Sequence, residues 1–154
     1  MFSVPHYSKV LDELREERGV TGLFQHNLVA IEDDAKTAVF KRPNGEQVKK
    51  SFDFMHVVPT MSPPDFLKKS SLANSGGYAE VDQGTLRHVK YNNVWSLGDS
   101  SSLPTSKTAA AITGQSPVLV ANLLSALENK EPIATYDGYT SCPLITEYGK
   151  VLLA

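Results

Sequence analysis

The stretch PTMSPPDFL places three prolines, Pro59, Pro63 and Pro64, within six positions. A proline has no backbone N–H, so none of them can donate to a β-ladder. Any sheet that precedes this stretch must end at Pro59. Upstream, the pattern predicts one helix and three strands. In SVPHYSKVLDELREERG, Tyr7, Val10, Leu11 and Leu14 recur at helical spacing and form one apolar face. Ser3 is the expected N-cap, Pro5 suits the first turn, and Gly19 suits a left-handed stop. Arg15 and Arg18 suit the negative end of the helix dipole. LFQHNLVAI (Leu23–Ile31) reads as a strand that ends at the acidic turn Glu32-Asp33-Asp34. Ala35–Lys41 alternates as a second strand, and Pro43-Asn44-Gly45 makes a hairpin turn. Glu46–Val58 returns as a third strand, ending in FDFMHVV. His56 then lies inside an apolar strand, where a hydrogen-bonded core histidine is the ordinary outcome.

Downstream, Tyr78, Glu80, Val81 and Asp82 read as a short strand after the turn Ser75-Gly76-Gly77. YNNVWSLGD supplies Val94, Trp95 and Leu97 as a second, buried one. A helix capped by Thr105 or Ser106 is expected through Ala109–Ala111 and on towards Leu127. Pro117 interrupts it, because a proline inside a helix removes a hydrogen bond and crowds the preceding turn. A kink and two abutting helices with Ser116 as the second cap both fit. The tail TYDGYTSCPLITEYGKVLLA reads as turn, strand, a turn at Gly149, and strand.

Composition narrows the function classes. The 154 residues are 41% hydrophobic and 21% charged, the balance of a globular domain rather than a disordered chain. Formal charge is −2 and basic residues cluster only in pairs, so nucleic acid is not an expected partner. The longest apolar run, VLVANLLSAL (Val118–Leu127), is far shorter than the roughly 20 residues that cross a bilayer, so no spanning segment is expected. MFSVPHYSK has neither the charged and apolar regions of a signal peptide nor the arginines of a transit peptide. A single cysteine, Cys142, excludes an internal disulfide framework, and the four histidines are scattered, so no metal site is expected.

Two places could carry chemistry. In WSLGDSSSLPTSKTAAA (Trp95–Ala111), a strand ends in Gly-Asp and a broken loop leads into a helix. Gly98 has no Cβ, so a ligand can approach its backbone. Asp99 can accept hydrogen bonds from sugar-like hydroxyls. The helix start near Ser106 offers unpaired N–H groups and positive potential, Lys107 adds a full charge, and Ala109–Ala111 leave room for a flat ring. A strand–turn–helix in which Asp99 merely caps a turn fits the same residues. Cys142 is the second place; taken alone, a lone cysteine also reads as a small buried hydrophobe. No role falls to His56 or His88.

LGDSSSLPTSKTAAA, preceded by HVVPTMSPPDFLKKS and followed by YDGYTSCPLITEYGKVLLA, resembles the mitochondrial-type sulfide:quinone oxidoreductases. These belong to the two-dinucleotide-fold flavoprotein disulfide reductases. The resemblance runs from the first helix to Ala154, and the MSPPD, LPTSKTAAA and YDGYTSCPL blocks are its specific part. It implies an α/β chain that forms an incomplete two-dinucleotide-binding-domain flavoprotein fold. Residues 1–60 would be the C-terminal part of the second, NADH-domain-like unit, with its antiparallel meander. Residues 61–154 would be the returning portion of the FAD domain. Asp99 would bond the ribityl chain of FAD, with Gly98 allowing the approach. Ser106, Lys107 and Thr108 would face the pyrimidine end of the isoalloxazine. Cys142 matches the second of the family's two redox cysteines, which hold and release sulfur by thiol–disulfide exchange. Substrates would be hydrogen sulfide and ubiquinone, with sulfite or glutathione as sulfur acceptor. Localisation would be the mitochondrial inner membrane, with membrane association through C-terminal helices that this sequence does not contain.

The sequence departs from the family pattern in lacking GxGxxG and the first redox cysteine, and in carrying Pro117. The expectation is therefore a fragment that is inactive alone. Alternatives are a type II NADH:quinone dehydrogenase, a flavocytochrome sulfide dehydrogenase, or a non-catalytic truncated paralogue acting as a binding module.

Overall fold

The computed structural model describes residues 4–34 and 36–154. Ser3 and Ala35, the expected cap and the expected start of the second strand, lie outside the described residues. The chain divides into two compact units, one ending at Pro59 and the other running from Thr60 to Ala154.

The first unit holds helix α1 (Pro5–Glu17) and the strands β1 (Asn27–Glu32), β2 (Thr37–Lys41) and β3 (Gln47–Ser51). Pro5 opens α1 and Gly19 follows it with φ +62°, the left-handed stop its position predicts. The helix buries none of its residues; Tyr7, Leu11 and Leu14 are half-covered and Val10 is exposed. The strands form an antiparallel sheet in the order β1-β2-β3, with a bulge at Val29. Ala38 and Val39 of the central strand are its buried residues. Gly45, at φ +85°, allows the tight return from Arg42 to Glu46.

Two strand limits differ from the expectation. The first strand begins at Asn27 rather than Leu23, because Gln25 takes a left-handed φ of +57° and breaks the extended run. The third strand stops at Ser51. Its partner β2 begins at Thr37, opposite Ser51, and Phe52 makes a last bond to the Lys36 carbonyl. Residues 53–58 therefore have no strand to pair with, and FDFMHVV leaves the ladder with Phe54 86% exposed. His56 is accordingly exposed and outside any strand.

The Thr60–Ala154 unit is organised around helix α3 (Ala109–Leu127), with a short helix α2 (Asp65–Lys68) and a terminal hairpin of β4 (Pro143–Glu147) and β5 (Lys150–Leu153). The hairpin turns at Gly149, φ +74°, as its sequence predicts. The two short strands expected between Tyr78 and Leu97 are instead a set of single bridges, Ala73–Ala79, Ala79–Ser101, Val81–His88 and Arg87–Trp95. His88 lies 2% exposed there. Its Nε2–H donates to the Leu72 carbonyl while Nδ1 accepts from the amides of Lys90 and Tyr91.

Helix α3 runs unbroken through Pro117, so neither the two-helix alternative nor a cap at Ser116 occurs. Its N-cap is Thr108, whose hydroxyl accepts from the Ala111 amide at 3.1 Å; Thr105 and Ser106 lie before the helix. At the other end Asn129 takes φ +58°, and the bonds Asn129 N–H to Ala126 O and Lys130 N–H to Ser125 O close a Schellman motif. The helix is long and apolar enough to cross a membrane by length and composition, against the expectation drawn from its C-terminal half alone. Yet the side chains it buries most include Gln115, Asn122 and Ser125, which share a face with Ala111.

Those polar groups are all satisfied. Asn122 is fully buried; its amide donates to the carbonyls of Thr85 (3.1 Å) and Ala134 (2.9 Å). Its carbonyl accepts from the amides of Ile133 (2.9 Å) and Ala134 (2.8 Å). Ser125 donates to the Glu131 carbonyl at 2.7 Å. Beside them Val81, Leu86, Leu103 and Tyr136 form the apolar core, with Leu97, Val118 and Leu119 against it. The Thr85 loop is itself fixed by Asp82, which accepts from the Thr85 amide and hydroxyl and the Gly84 amide. Those bonds, led by the Thr85 amide, hold the Asp82 carboxyl below its usual range. The stability it lends is complete above that usual value and is lost as pH falls through the lowered one.

Asn122→Ala leaves four backbone groups without their partner and is expected to lower the stability of this unit by about 3 kcal/mol. Urea unfolding followed by Trp95 fluorescence reads it; an unchanged midpoint would remove Asn122 from this role.

Candidate functional site

Gly98, Asp99 and Ser100 form one turn of 3-10 helix between the Trp95 segment and the loop to α3. Gly98 is buried with φ +65°, and its N–H donates to the Gln115 side chain at 2.8 Å. A Cβ here would meet Ile112 of α3 at 3.3 Å. Glycine is therefore needed for close packing of the turn on α3, a reason that requires no ligand. Sequence reasoning missed Gln115, because a glutamine inside an apolar helix carries no local signal of its partner.

Asp99 is exposed and lines a cleft of about 180 Å³ with Met61, Ser62, Tyr78 and Lys107. Lys107 lines the same cleft. Its Nζ donates to the Ser101 carbonyl at 2.7 Å and sits 4.4 Å from the centre of the Tyr78 ring. A cation over an aromatic face is attracted by the ring quadrupole, so Tyr78 fixes where the ammonium lies. Partial burial pushes the Lys107 pKa down, and the Asp99 carboxylate pulls it partly back. The cleft thus holds an opposed carboxylate and ammonium with one aromatic wall. Such an arrangement can bond hydroxyls on one side and stabilise negative charge on the other.

Ser106 is exposed and Thr108 half-buried. Contrary to the expected helix start at Ser106, the helix begins at Ala109, so Ser106 and Lys107 belong to the loop before it. Of the three alanines, Ala111 faces the core at 1% exposure. Cys142 is half-buried and has a free thiol. Its backbone forms a closed pair with Ala154, N–H to O at 2.7 Å and O from N–H at 3.2 Å. Two residues earlier, the Thr140 hydroxyl contacts the Thr108 hydroxyl at 3.0 Å and the Ser106 carbonyl at 3.3 Å. The Cys142 segment is thereby tied to both neighbours of Lys107. No group of histidine, cysteine and carboxylate side chains suited to a metal ion occurs among the described residues.

No protein-family model matches the chain. Over its whole length it is 54% identical to the mitochondrial sulfide:quinone oxidoreductase of Dictyostelium discoideum. The identity is 45% to that of Mus musculus and 46% to that of Schizosaccharomyces pombe. The chain spans about a third of the length of these curated relatives, 34–35%. Among solved structures, it matches a chain in the mitochondrial ATP synthase tetramer of Tetrahymena thermophila at TM-score 0.88 and 29% identity, over 97% of this chain and 36% of that one. It also matches the sulfide:quinone oxidoreductase of Aquifex aeolicus at TM-score 0.72 and 17% identity, over 95% of this chain and 36% of that one. The α/β fold is therefore that of a portion of the sulfide:quinone oxidoreductase flavoproteins, and the resemblance read from the three sequence blocks holds along the whole chain.

Desolvation outweighs Asp99 at Lys107, so its ammonium is expected to lose its proton below the usual lysine value of 10.5. Asp99→Asn removes the one opposing influence and lowers the value further. Competitive acetylation of Lys107 across pH reads both; a midpoint that rises on Asp99→Asn would contradict the opposed pair.

Proposed function

We propose that this chain is part of a sulfide:quinone oxidoreductase, supplying one wall of its flavin site and one of its sulfur-handling thiols. What carries the reading is identity of 45–54% along the whole chain to three such enzymes. On this reading residues 1–60 are the end of the NADH-domain-like fold and residues 61–154 the returning part of the FAD domain. The relatives' names speak for a mitochondrial protein, and the family resemblance speaks for the inner membrane as its location.

The cleft suits a flavin in part. Asp99 offers a carboxylate for ribityl hydroxyls, and Lys107, held by Ser101 and Tyr78, offers positive charge for the pyrimidine edge. Ser106 and Thr108 flank that lysine, and Gly98 sets the depth of the turn beneath Asp99. The cleft, of about 180 Å³, has room for part of a flavin such as the ribityl chain and a ring edge. When bound, FAD would supply two-electron transfer between a sulfur donor and a quinone. Cys142, joined to a second thiol of the whole enzyme, would form a disulfide that sulfide opens. One sulfur keeps the incoming sulfur as a persulfide and the other leaves as a thiolate. The persulfide's outer sulfur then passes to an acceptor such as sulfite or glutathione. A relay of two cysteines needs a second thiol that this sequence does not contain, so the chain alone is inactive in sulfide oxidation.

A second reading is a non-catalytic module within a larger assembly. It is favoured by the TM-score of 0.88 to a chain of the Tetrahymena ATP synthase tetramer. A module of that kind has no use for the Asp99 carboxylate or the Cys142 thiol.

Riboflavin carries the ring and ribityl chain without the dinucleotide, and is the direct probe of this cleft. The chain is expected to quench its fluorescence saturably. Asp99→Ala should weaken that binding by about 1–3 kcal/mol, roughly fivefold or more, through loss of charge-assisted ribityl bonds. Equal affinity of the two proteins would overturn the assignment of Asp99, and absence of any quenching would favour the non-catalytic module.

A further inference from the structure

The three oxygens that join the Cys142 segment to the entrance of α3 have only one consistent proton order. Thr108 Oγ1 accepts the Ala111 amide. It lies 3.0 Å from Thr140 Oγ1, which in turn lies 3.3 Å from the Ser106 carbonyl. A carbonyl can only accept, so Thr140 gives its single proton to Ser106. The contact between the two hydroxyls then requires Thr108 to donate to Thr140. Each hydroxyl gives one proton and accepts one, and the chain of bonds runs from the α3 amide through both threonines to the loop before the helix. A hydroxyl at position 140 accepts from Thr108 and donates to Ser106 through one atom, which an apolar side chain of the same shape cannot do.

Two residues of extended chain reach about 7 Å at most, so an anchored Thr140 confines the Cys142 backbone to that distance of residue 140, whose side chain is bonded to the α3 entrance. On its other side Cys142 is held by the backbone pair with Ala154. The thiol-bearing residue is thus gripped from both sides, by a side-chain relay upstream and by backbone bonds downstream. We propose that Thr140 is a positioning residue that fixes Cys142 against the loop carrying Lys107. The functional meaning of that position rests on the reading of Cys142 as the sulfur-handling thiol; the positioning itself does not. Sequence reasoning passed over Thr140, because its partners lie 32 and 34 residues away.

Cys142 is the single cysteine of the chain, so a methanethiosulfonate nitroxide labels position 142 alone. The electron paramagnetic resonance line shape of that label then reports how tightly the segment is held, with no flavin present. Thr140→Val is expected to raise the ratio of mobile to ordered label about fivefold, the effect of losing a neutral hydrogen bond. Thr140→Ser keeps the hydroxyl and should restore the parent spectrum. Ser125→Ala weakens the same unit at the far end of α3 and should leave the label unchanged. An ordered label in Thr140→Val would overturn the proposal. So would equal loosening in Ser125→Ala, which would mean general destabilisation rather than positioning. If Thr140→Val does not fold, Thr140→Ala carries the same comparison. Failure of the chain to bind riboflavin would bear on the flavin reading and leave this result standing.

Discussion

The fully buried carboxamide of Asn122 is the joint on which the Thr60–Ala154 unit depends. Its amide and carbonyl reach two separate stretches of backbone, the turn at Thr85 and the segment at Ile133–Ala134. A buried amide with fewer partners would be a net cost, whereas one with all four satisfied fixes geometry in a way that an apolar contact cannot. Leu86, fully buried beside Thr85, and Tyr136, two residues beyond Ala134, then meet in the core with Val81 and Leu103. The apolar core is small, and the polar grip of α3 decides which segments come together around it.

The same helix positions the candidate site. Gln115, two turns before Asn122, takes the Gly98 amide and so sets the turn that presents Asp99. Thr108 at the N-cap holds the first turn of α3 and, through Thr140, the segment leading to Cys142. Lys107 lies between these fixed points and has its ammonium settled by Ser101 and Tyr78. One helix therefore links a carboxylate and an ammonium to a thiol-bearing segment more than thirty residues further along the chain. Flavin and sulfur chemistry both require such groups to be held before the ligand arrives.

Part of this was legible in the sequence. Helix α1, the Gly45 turn and the Gly149 hairpin were readable because proline, glycine and apolar periodicity act within a few residues. Asp99, Lys107 and Cys142 stood out by chemistry and by the blocks that carry the resemblance. Strand limits were less readable, because β3 ends where β2 runs out of partner rather than where apolar residues stop. FDFMHVV looks like a strand and has nothing to pair with. The cap at Thr108 was hidden among three hydroxyl residues, Thr105, Ser106 and Thr108, each a suitable cap by type alone. Gln115 and Asn122 gave no signal, since their partners are backbone groups that only the fold assembles.

Hydrogen–deuterium exchange of the whole chain, with and without saturating riboflavin, tests most directly that these groups surround one ligand. Exchange is expected to slow over residues 98–108 and 140–142, with the sheet formed by β1, β2 and β3 unaffected. Protection confined to the sheet, or none at residues 98–108 while riboflavin is bound, would contradict it.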